Sequence, residues 1–483
     1  MAGSSIKRAL LWKFCERFGV QAVQFVVSII IARLLDPSEY GVMAIMAIFI
    51  SLATTVIQSG WGAALIQRKN VTETDYSTVF YYSLTFAGVL YTVLFVSANV
   101  ISEYFNQPLL DTVLKVNSLV LFIGAFNSVQ IAYASRLFLF KQLFKSNIIA
   151  ALLSGFIGIG LAVGGYGVWA LVSQQLSYQL FVVLTLLFLV DWKPRLLFSM
   201  ESVRQTMGFG SKILGANIID RLYHNLENII IGKNFSSATL AFFDRGKQFP
   251  LILIDNIDGS IQSVMFPAYS KLQDNPDELR ETLRKAVRMS SFVSFSAMTI
   301  LFVIAPQLIG LFLGKKWMDA VPFLQFYCII CMLFPLQTAN LQAFNAVGKS
   351  SLYFRLTTLK RVIGTGLLLS SIFLAKENVF VIVWCCLIIE VISICLNIHP
   401  NNKYLGYRFI DLLADILPNA LMVVLSIAVV AGFNEIVELN NQPCQLLANL
   451  LIGVGVIAAT ATLSNNASFT EVKKNIHFKH HEK

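Results

Sequence analysis

The chain is poor in charge. Only 13% of its 483 residues are Asp, Glu, Lys or Arg, whereas 56% are hydrophobic and the mean hydropathy is +0.68. A water-soluble domain carries about 25% charged residues because its surface has to be solvated. Half of that is missing here, so most of the surface faces something other than water, and the soluble enzyme classes are excluded as a starting point. The sequence also lacks the short alternating strands that a transmembrane β-barrel requires. It has no G-x-x-x-x-G-K-[ST] nucleotide cradle, which argues against primary pumping by ATP. The seven cysteines form no metal or disulfide framework. Cys15, Cys328, Cys331, Cys385, Cys386 and Cys395 fall inside apolar runs, and Cys328-Ile-Ile-Cys331 has C-x-x-C spacing without polar neighbours, so a packing role is expected. Met1 to Lys13 contains no cleavable signal.

What is present is a series of long apolar runs. They fall near 12–34, 41–66, 79–101, 113–134, 147–163, 168–190, 207–232, 239–266, 290–313, 321–346, 356–375, 378–397, 412–432 and 445–464, most of them near the roughly 20 residues that a helix needs to cross a bilayer. The net charge of +10 would raise the question of nucleic acid in a soluble chain, but here it sorts by topology. If the chain starts inside, 25 of the 37 Lys and Arg fall on one side, 5 on the other and 7 within the runs. Lys and Arg accumulate on cytoplasmic loops, and a missed helix would scramble this alternation, so both termini are expected in the cytoplasm. The expected fold is an all-α polytopic membrane protein with fourteen transmembrane helices.

The two halves repeat weakly. Leu34-Leu35-Asp36-Pro37-Ser38-Glu39-Tyr40-Gly41 has a counterpart in residues 232–241, Tyr104-Phe105 to Asp111 in Leu311-Phe312 to Asp319, and Gly165-Tyr166-Gly167-Val168-Trp169 in Asn378 to Trp384. The order and spacing agree, giving an expected organisation of two pseudo-symmetric six-helix lobes, 1–195 and 200–398, around a central cavity, followed by a helix pair and basic tail, 399–483. Parallel repeats of this kind suit alternating access.

Charge inside a bilayer helix is costly unless it faces protein or water, so its placement marks a pathway. The first helix carries Lys13, Arg17, Gln21, Gln24 and Ser28 on one face, and the seventh carries Asn217, Arg221, His224 and Asn228 in the same register, beside Asp220, Asn225 and Glu227. The eighth carries Asp244, Gln248, Asp255, Asp258 and Gln262, with Arg245 and Lys247 adjacent. The competing reading is structural glue, with acids such as Asp244 or Glu227 paired to Arg221. Pro250, Gly208, Gly210 and Gly215 offer bends. Glu390 stands alone in the twelfth helix, while Pro276 to Met289 reads as an amphipathic segment lying on the membrane surface. The last two helices read as apolar on nearly all faces. The tail with His477, His480 and His481 reads as a solvated basic end, and no metal site or catalytic group is expected.

Several motifs resemble one family. Ala32-Arg33-Leu34-Leu35-Asp36-Pro37-Ser38-Glu39-Tyr40-Gly41, Tyr166-Gly167-Val168-Trp169-Ala170-Leu171-Val172, Phe242-Phe243-Asp244-Arg245 through Pro250, Val264-Met265-Phe266-Pro267-Ala268-Tyr269-Ser270-Lys271-Leu272-Gln273-Asp274 and Leu311-Phe312-Leu313-Gly314-Lys315-Lys316-Trp317 occur in order. Together they resemble the polysaccharide transporter branch of the multidrug/oligosaccharidyl-lipid/polysaccharide exporter superfamily, nearest to Wzx-type flippases of the colanic acid exporter kind.

The resemblance implies a non-enzymatic flippase of the bacterial inner membrane. Its substrate would be an undecaprenyl-diphosphate-linked oligosaccharide, moved to the periplasmic leaflet for exopolysaccharide, capsule or O-antigen synthesis. A polysaccharide polymerase and co-polymerase would be its partners, and nucleic acid would not. The head group would lie between the lobes and the polyprenyl tail along the last two helices. Arg17, Gln21, Gln24, Arg221, His224, Asn225, Asn228, Arg245 and Lys247 would line the cavity, with Arg17 and Arg221 clamping the diphosphate. Asp220, Glu227 and Asp244 would pair with cations at rest. Asp255 or Asp258 would carry a coupling H+ or Na+, with no other cofactor. The alternatives are a cation-coupled multidrug exporter of the same superfamily and a membrane-embedded glycosyltransferase or polymerase. The former normally lacks the last helix pair, and the latter needs a large extramembrane catalytic loop that the chain does not have.

Overall fold

The computed structural model describes residues 2–58, 61–68, 71–346, 348–375, 378–437 and 441–463. All regular structure among them is helical, because in an apolar solvent every backbone N–H and C=O needs a partner within its own segment. The helices are α1 (Ala2–Leu34), α2 (Pro37–Gln58), α3 (Trp61–Gln67), α4 (Glu73–Tyr104), α5 (Pro108–Asn117), α6 (Val120–Arg136), α7 (Phe140–Val163), α8 (Val168–Leu189), α9 (Met200–Asn234), α10 (Ser237–Ser270), α11 (Pro276–Phe312), α12 (Val321–Met332), α13 (Phe334–Ala346), α14 (Ser350–Leu374), α15 (Phe380–Leu405), α16 (Phe409–Ile436) and α17 (Gln442–Leu463), with a 3-10 turn at Lys315–Ala320. Among the described residues, eleven segments are long and apolar enough to cross a membrane. Their length and composition make the chain an integral multi-pass membrane protein. α1, α9 and α10, at 33, 35 and 34 residues, have the length but are interrupted by charge.

Several boundaries differ from the apolar runs. The run at 113–134 is two helices, α5 and α6, separated at Ser118 and Leu119, and the run at 321–346 is α12 and α13, separated at Leu333. Hydropathy does not register such breaks, because apolar residues occupy both sides of them. Pro276 to Met289 is not a separate surface helix: it forms the opening turns of α11, started by Asn275 as N-cap with Pro276 at the first helical position. α4 starts with a reciprocal capping box, in which the Thr72 backbone N–H donates to Asp75 Oδ2 at 2.8 Å and the Asp75 N–H to Thr72 Oγ1 at 3.3 Å. Asp75 also accepts from Arg68 Nη1 at 3.0 Å and Ser202 Oγ at 2.6 Å, so one buried carboxylate joins the end of α3, the start of α4 and the start of α9.

The chain divides into two compact units, Met1–Ala241 and Phe242–Lys483. In the first, α7 packs between α1 and α8. Gly155 and Gly158 permit this: a Cβ on either would come within 2.6 Å of Val27 Cγ2 or 2.9 Å of Gln174 Cβ. An aromatic cluster of Trp61, Tyr76, Phe80, Tyr82 and Trp192 fills the space among α3, α4 and the segment after α8. The first turn of α2 is held by Glu39, whose Oε2 accepts from the Asp36 N–H at 2.9 Å, and Gly41 in that turn lies against the carbonyl of Ser237.

In the second unit α11 is the spine, touching α12, α13, α16 and α17. The expectation that the last two helices are apolar on nearly all faces is corrected: α16 buries Asp415, Asn419 and Ser426, and α17 buries Gln445 and Asn449. Asn419 Nδ2 donates to Ser291 Oγ of α11 at 2.8 Å, and Asn449 Nδ2 to the Val303 carbonyl at 3.5 Å. Such residues four apart form a narrow polar line within a hydrophobic helix, which average hydropathy conceals.

Glycine spacing gives a test of the first unit. A Cβ at Gly41 would sit 1.9 Å from the Ser237 carbonyl oxygen, whereas one at Gly160 meets nothing within 4 Å. Gly41→Val is expected to cost about 1–3 kcal/mol or more by forcing the backbones apart. Gly160→Ala should leave stability unchanged or slightly raised. Thermal unfolding of the purified variants in detergent checks both.

Candidate functional site

The stripe on α1 places Gln21 and Ser28 half-buried and Gln24 exposed. The side chains of Lys13, Cys15, Arg17 and Lys212 lie outside the described residues, as do the whole of Lys69 and Lys376 and the tail with His477, His480 and His481. On α9, Asp220, Arg221 and His224 are exposed, with His224 Nε2 3.6 Å from Asp220 Oδ2. Asn217 and Glu227 are half-buried and Asn228 is buried. Asn225 Nδ2 donates to the Arg221 carbonyl at 2.8 Å and to Ser51 Oγ of α2 at 3.3 Å. The polar faces of α2 and α9 thus meet within one unit, while the charged side chains point away from its core. An apolar environment would penalise Asp220, Arg221 and His224 in that position, so their exposed face is one that suits water or a polar ligand.

α10 carries its charges differently. Asp244 Oδ1 lies 3.9 Å from Lys247 Nζ, the Lys247 ammonium sits 4.5 Å from the centre of the Phe243 ring, and Arg245 Nη1 donates to Gln248 Oε1 at 2.9 Å. The two Lys247 contacts are intrahelical and long, which is the weak end of such interactions. Asp255 is exposed, whereas Asp258 is half-buried and accepts from Thr338 Oγ1 of α13 at 2.9 Å and from Gln262 Nε2 at 3.4 Å. Asp258 Oδ1 is buried without a hydrogen bond.

Further polar residues, which sequence reasoning did not assign to the site, converge on α13. Gln337 donates through Nε2 to Glu390 Oε2 of α15 and accepts at Oε1 from Lys360 Nζ of α14 at 3.3 Å. Glu390 is therefore not isolated. Lys360, one of the 25 cations counted as loop charge on one side although it falls just inside the run 356–375, is a half-buried residue of a membrane-length helix. One turn along, Asn340 Oδ1 accepts from Asn401 Nδ2 at 2.6 Å. The spacing of Gln337, Thr338 and Asn340 on a helix gave a signal, but Lys360 stands beside Arg361 and reads as the edge of a run. Removing Glu390 leaves the Lys360 ammonium half-buried without its counter-charge. Glu390→Leu is expected to cost about 1–3 kcal/mol, and Lys360→Met added to it should return part of that loss, as a double-mutant cycle on thermal unfolding would read.

A second cluster lies where α11 meets α16. Asp415, with its side chain 2% exposed, accepts from Arg284 through Nε and Nη2, both at 2.9 Å, from Arg288 Nε at 2.7 Å and from Tyr407 Oη at 3.1 Å. Asp411 accepts from Arg280 Nη2 and Arg408 Nε, each at 3.3 Å. The fork-shaped, two-point Arg284 contact is the strongest geometry available to such a pair. Asp415→Ala would leave two arginines facing a vacated site, at a cost of about 3–5 kcal/mol. Asp415→Asn should lose less, because it keeps an acceptor. The unfolding temperatures of the two variants test this ranking.

Comparison with known proteins places these elements. A family model described as polysaccharide biosynthesis protein matches residues 30–322. The lipopolysaccharide biosynthesis protein WzxC of Escherichia coli (strain K12) is 26% identical over 314 residues, 63% of this chain and 62% of that protein, so the chain spans a little under two thirds of this relative. The teichuronic acid biosynthesis protein TuaB of Bacillus subtilis (strain 168) is 24% identical, covering 71% of each chain. The succinoglycan biosynthesis transport protein ExoT of Rhizobium meliloti (strain 1021) is 21% identical, covering 75% of this chain and 73% of that one. Among solved structures, the lipid II flippase MurJ in an inward closed conformation superposes with a TM-score of 0.73 at 12% identity, covering 94% of this chain and 98% of that one. An inward-facing MATE multidrug resistance transporter of the MOP superfamily reaches 0.60 at 16% identity, covering 79% and 94%. At these identities the structural likeness is one of fold.

Proposed function

Since the chain belongs to the polysaccharide biosynthesis protein family, we propose that it is a flippase. It carries an undecaprenyl-diphosphate-linked oligosaccharide from the cytoplasmic to the periplasmic leaflet of a bacterial inner membrane by alternating access, without making or breaking a covalent bond. The observation that carries this reading is the concentration of charge on α9 and α10, which with α1 stand apart from the eleven apolar segments. A pathway for diphosphate and sugar needs cations and hydrogen-bonding amides at membrane depth, and these helices supply them.

In the proposed arrangement α1, α9 and α10 join the eleven apolar segments to make fourteen crossings, in lobes 1–195 and 200–398 followed by the pair in 399–483. Both termini lie in the cytoplasm, on the side that collects most of the Lys and Arg. Arg221 and Arg17 bind the diphosphate, while Gln21, Gln24, His224, Asn225 and Asn228 meet the sugars. Arg245 and Lys247 line the same cavity and meet substrate oxygens. Asp220, Glu227 and Asp244 hold these cations between transport cycles. Asp258, half-buried against Thr338, and its exposed neighbour Asp255 are the proposed H+ or Na+ coupling groups. A polymerase and co-polymerase would receive the product.

Deleting the gene should accumulate lipid-linked repeat units in the cytoplasmic leaflet and stop polymer export, with wild-type complementation restoring it. Arg221→Ala and Arg17→Ala at normal expression should each reduce export roughly 10- to 100-fold, the loss of one charged hydrogen-bond partner. Intact export in both variants would remove the arginine clamp. Unchanged lipid-linked intermediates together with altered drug resistance in the deletion strain would move the assignment to a multidrug exporter.

A further inference from the structure

The arginine cluster at the start of α11 and α16 has more donors than its two carboxylates use. Arg280, Arg284, Arg288 and Arg408 surround Asp411 and Asp415. Each guanidinium offers five N–H groups, and the carboxylates take only a minority of them. Arg280 Nε is buried without a hydrogen bond. The side chains of Arg280, Arg284 and Arg288 are 33%, 30% and 35% exposed and that of Arg408 is 63% exposed, so the guanidinium groups are open on one side even though Arg280 Nε is not. Lys285, Lys349 and Lys403 add positive charge nearby in sequence or packing, and Asp277, Glu278 and Glu281 subtract some, leaving an excess of cations.

The position of the cluster matters as much as its charge. α11 passes from charged to apolar directly after Arg288. α16 begins directly after Arg408 and turns Phe409, Ile410, Leu413 and Leu417 outward, at 45%, 61%, 41% and 56% exposure. Outward apolar side chains on a membrane-length helix face acyl chains, so the arginines lie at the height where those chains end and head groups begin. Gly406, with φ +64°, turns the chain sharply from α15 to α16, and a Cβ there would stand 3.5 Å from Arg280 Nη1. The turn therefore lies against one side of the Arg280 head group, which stays partly exposed.

We propose that this cluster is a docking site for an anionic phospholipid, whose head-group phosphate bonds Arg280 and Arg408 while its acyl chains run along Phe409, Leu413 and Leu417 of α16. Asp415 holds Arg284 and Arg288 in place, and Arg280 and Arg408 supply the free donors. None of these arginines and aspartates belongs to the proposed head-group pathway.

The test is binding of short-chain phosphatidylglycerol to the purified full-length chain in nonionic micelles at low salt, measured by native mass spectrometry with unfolding temperature recorded in parallel. Wild type should bind phosphatidylglycerol more tightly than phosphatidylcholine. The double variant Arg280→Gln, Arg408→Gln should weaken it about 25-fold, roughly fivefold per arginine. Lys271→Gln, at an exposed residue elsewhere, should leave binding unchanged. If the double variant does not fold, Arg408→Gln alone provides the comparison, with fivefold expected. Equal binding of the two phospholipids, or equal phosphatidylglycerol binding by wild type and folded variant, overturns the proposal. Displacement by inorganic phosphate at equal concentration overturns the lipid assignment in favour of a simple anion site. Preferential binding of a polyprenyl diphosphate to the same arginines overturns it in favour of the transported substrate.

Discussion

The cost of an unpaired charge in hydrocarbon governs this molecule. A bilayer offers no water to solvate a carboxylate or ammonium group, so each one within a membrane-length helix has to find a partner, reach the interface or border an aqueous path. The first is seen directly, and the readings proposed above supply the other two. Glu390 and Lys360 meet through Gln337, and Arg280, Arg284 and Arg288 gather around Asp411 and Asp415. Asp220, Arg221 and His224 stay exposed on α9. The first outcome stabilises packing and the second anchors a helix pair. Only the third leaves charge where a cargo can use it.

This division explains what the sequence could disclose. The apolar runs located nearly every membrane-length helix, since twenty-residue hydrophobicity is a local property. The polar stripe on α9 follows from residues three and four apart sharing a face, but its burial does not: Arg221 and His224 are exposed, Asn217 is half-buried and Asn228 is buried. Partners were not legible. Arg284 and Asp415 are 131 residues apart, and no local pattern couples them. Asp415 and Asn419 looked like minor interruptions in an apolar run, although they form its buried face. Lys360 was read as a loop residue because hydropathy treats a cation near the edge of a run as the end of the helix. The side chain instead enters the packed interior, where an amide on α13 meets it.

Small residues set a second constraint that composition alone obscures. Lipid tails are as apolar as leucine, so helices in a membrane gain by close approach and by polar contacts between them. Gly155, Gly158 and Gly41 lie where a neighbouring atom occupies the place of a Cβ, whereas Gly160, in the same helix as the first two, has open space around it. The eight-residue motif from Leu34 to Gly41 thus acquires a physical meaning. Asp36 and Glu39 fasten the turn, and Gly41 lets its backbone lie against Ser237. The counterpart around residue 241 has Ala where the first half has Gly, so the repeat preserves the turn more closely than the contact.

The same reasoning assigns the two faces of the C-terminal pair. α16 and α17 direct Asp415, Asn419, Gln445 and Asn449 inward and Leu417, Leu421, Val424, Leu447 and Leu451 outward. Were the pair held to α11 by apolar contact alone, lipid could replace that contact at little cost, because hydrocarbon meets hydrocarbon in either case. The Asn419 bond to Ser291 and the arginine bonds to Asp415 have no such substitute among acyl chains. They hold the pair in one register while its outer surface stays free. Under the proposed function, a polyprenyl tail would therefore run along that outer surface, since entering between α16 and α11 would mean breaking the polar line that holds them together.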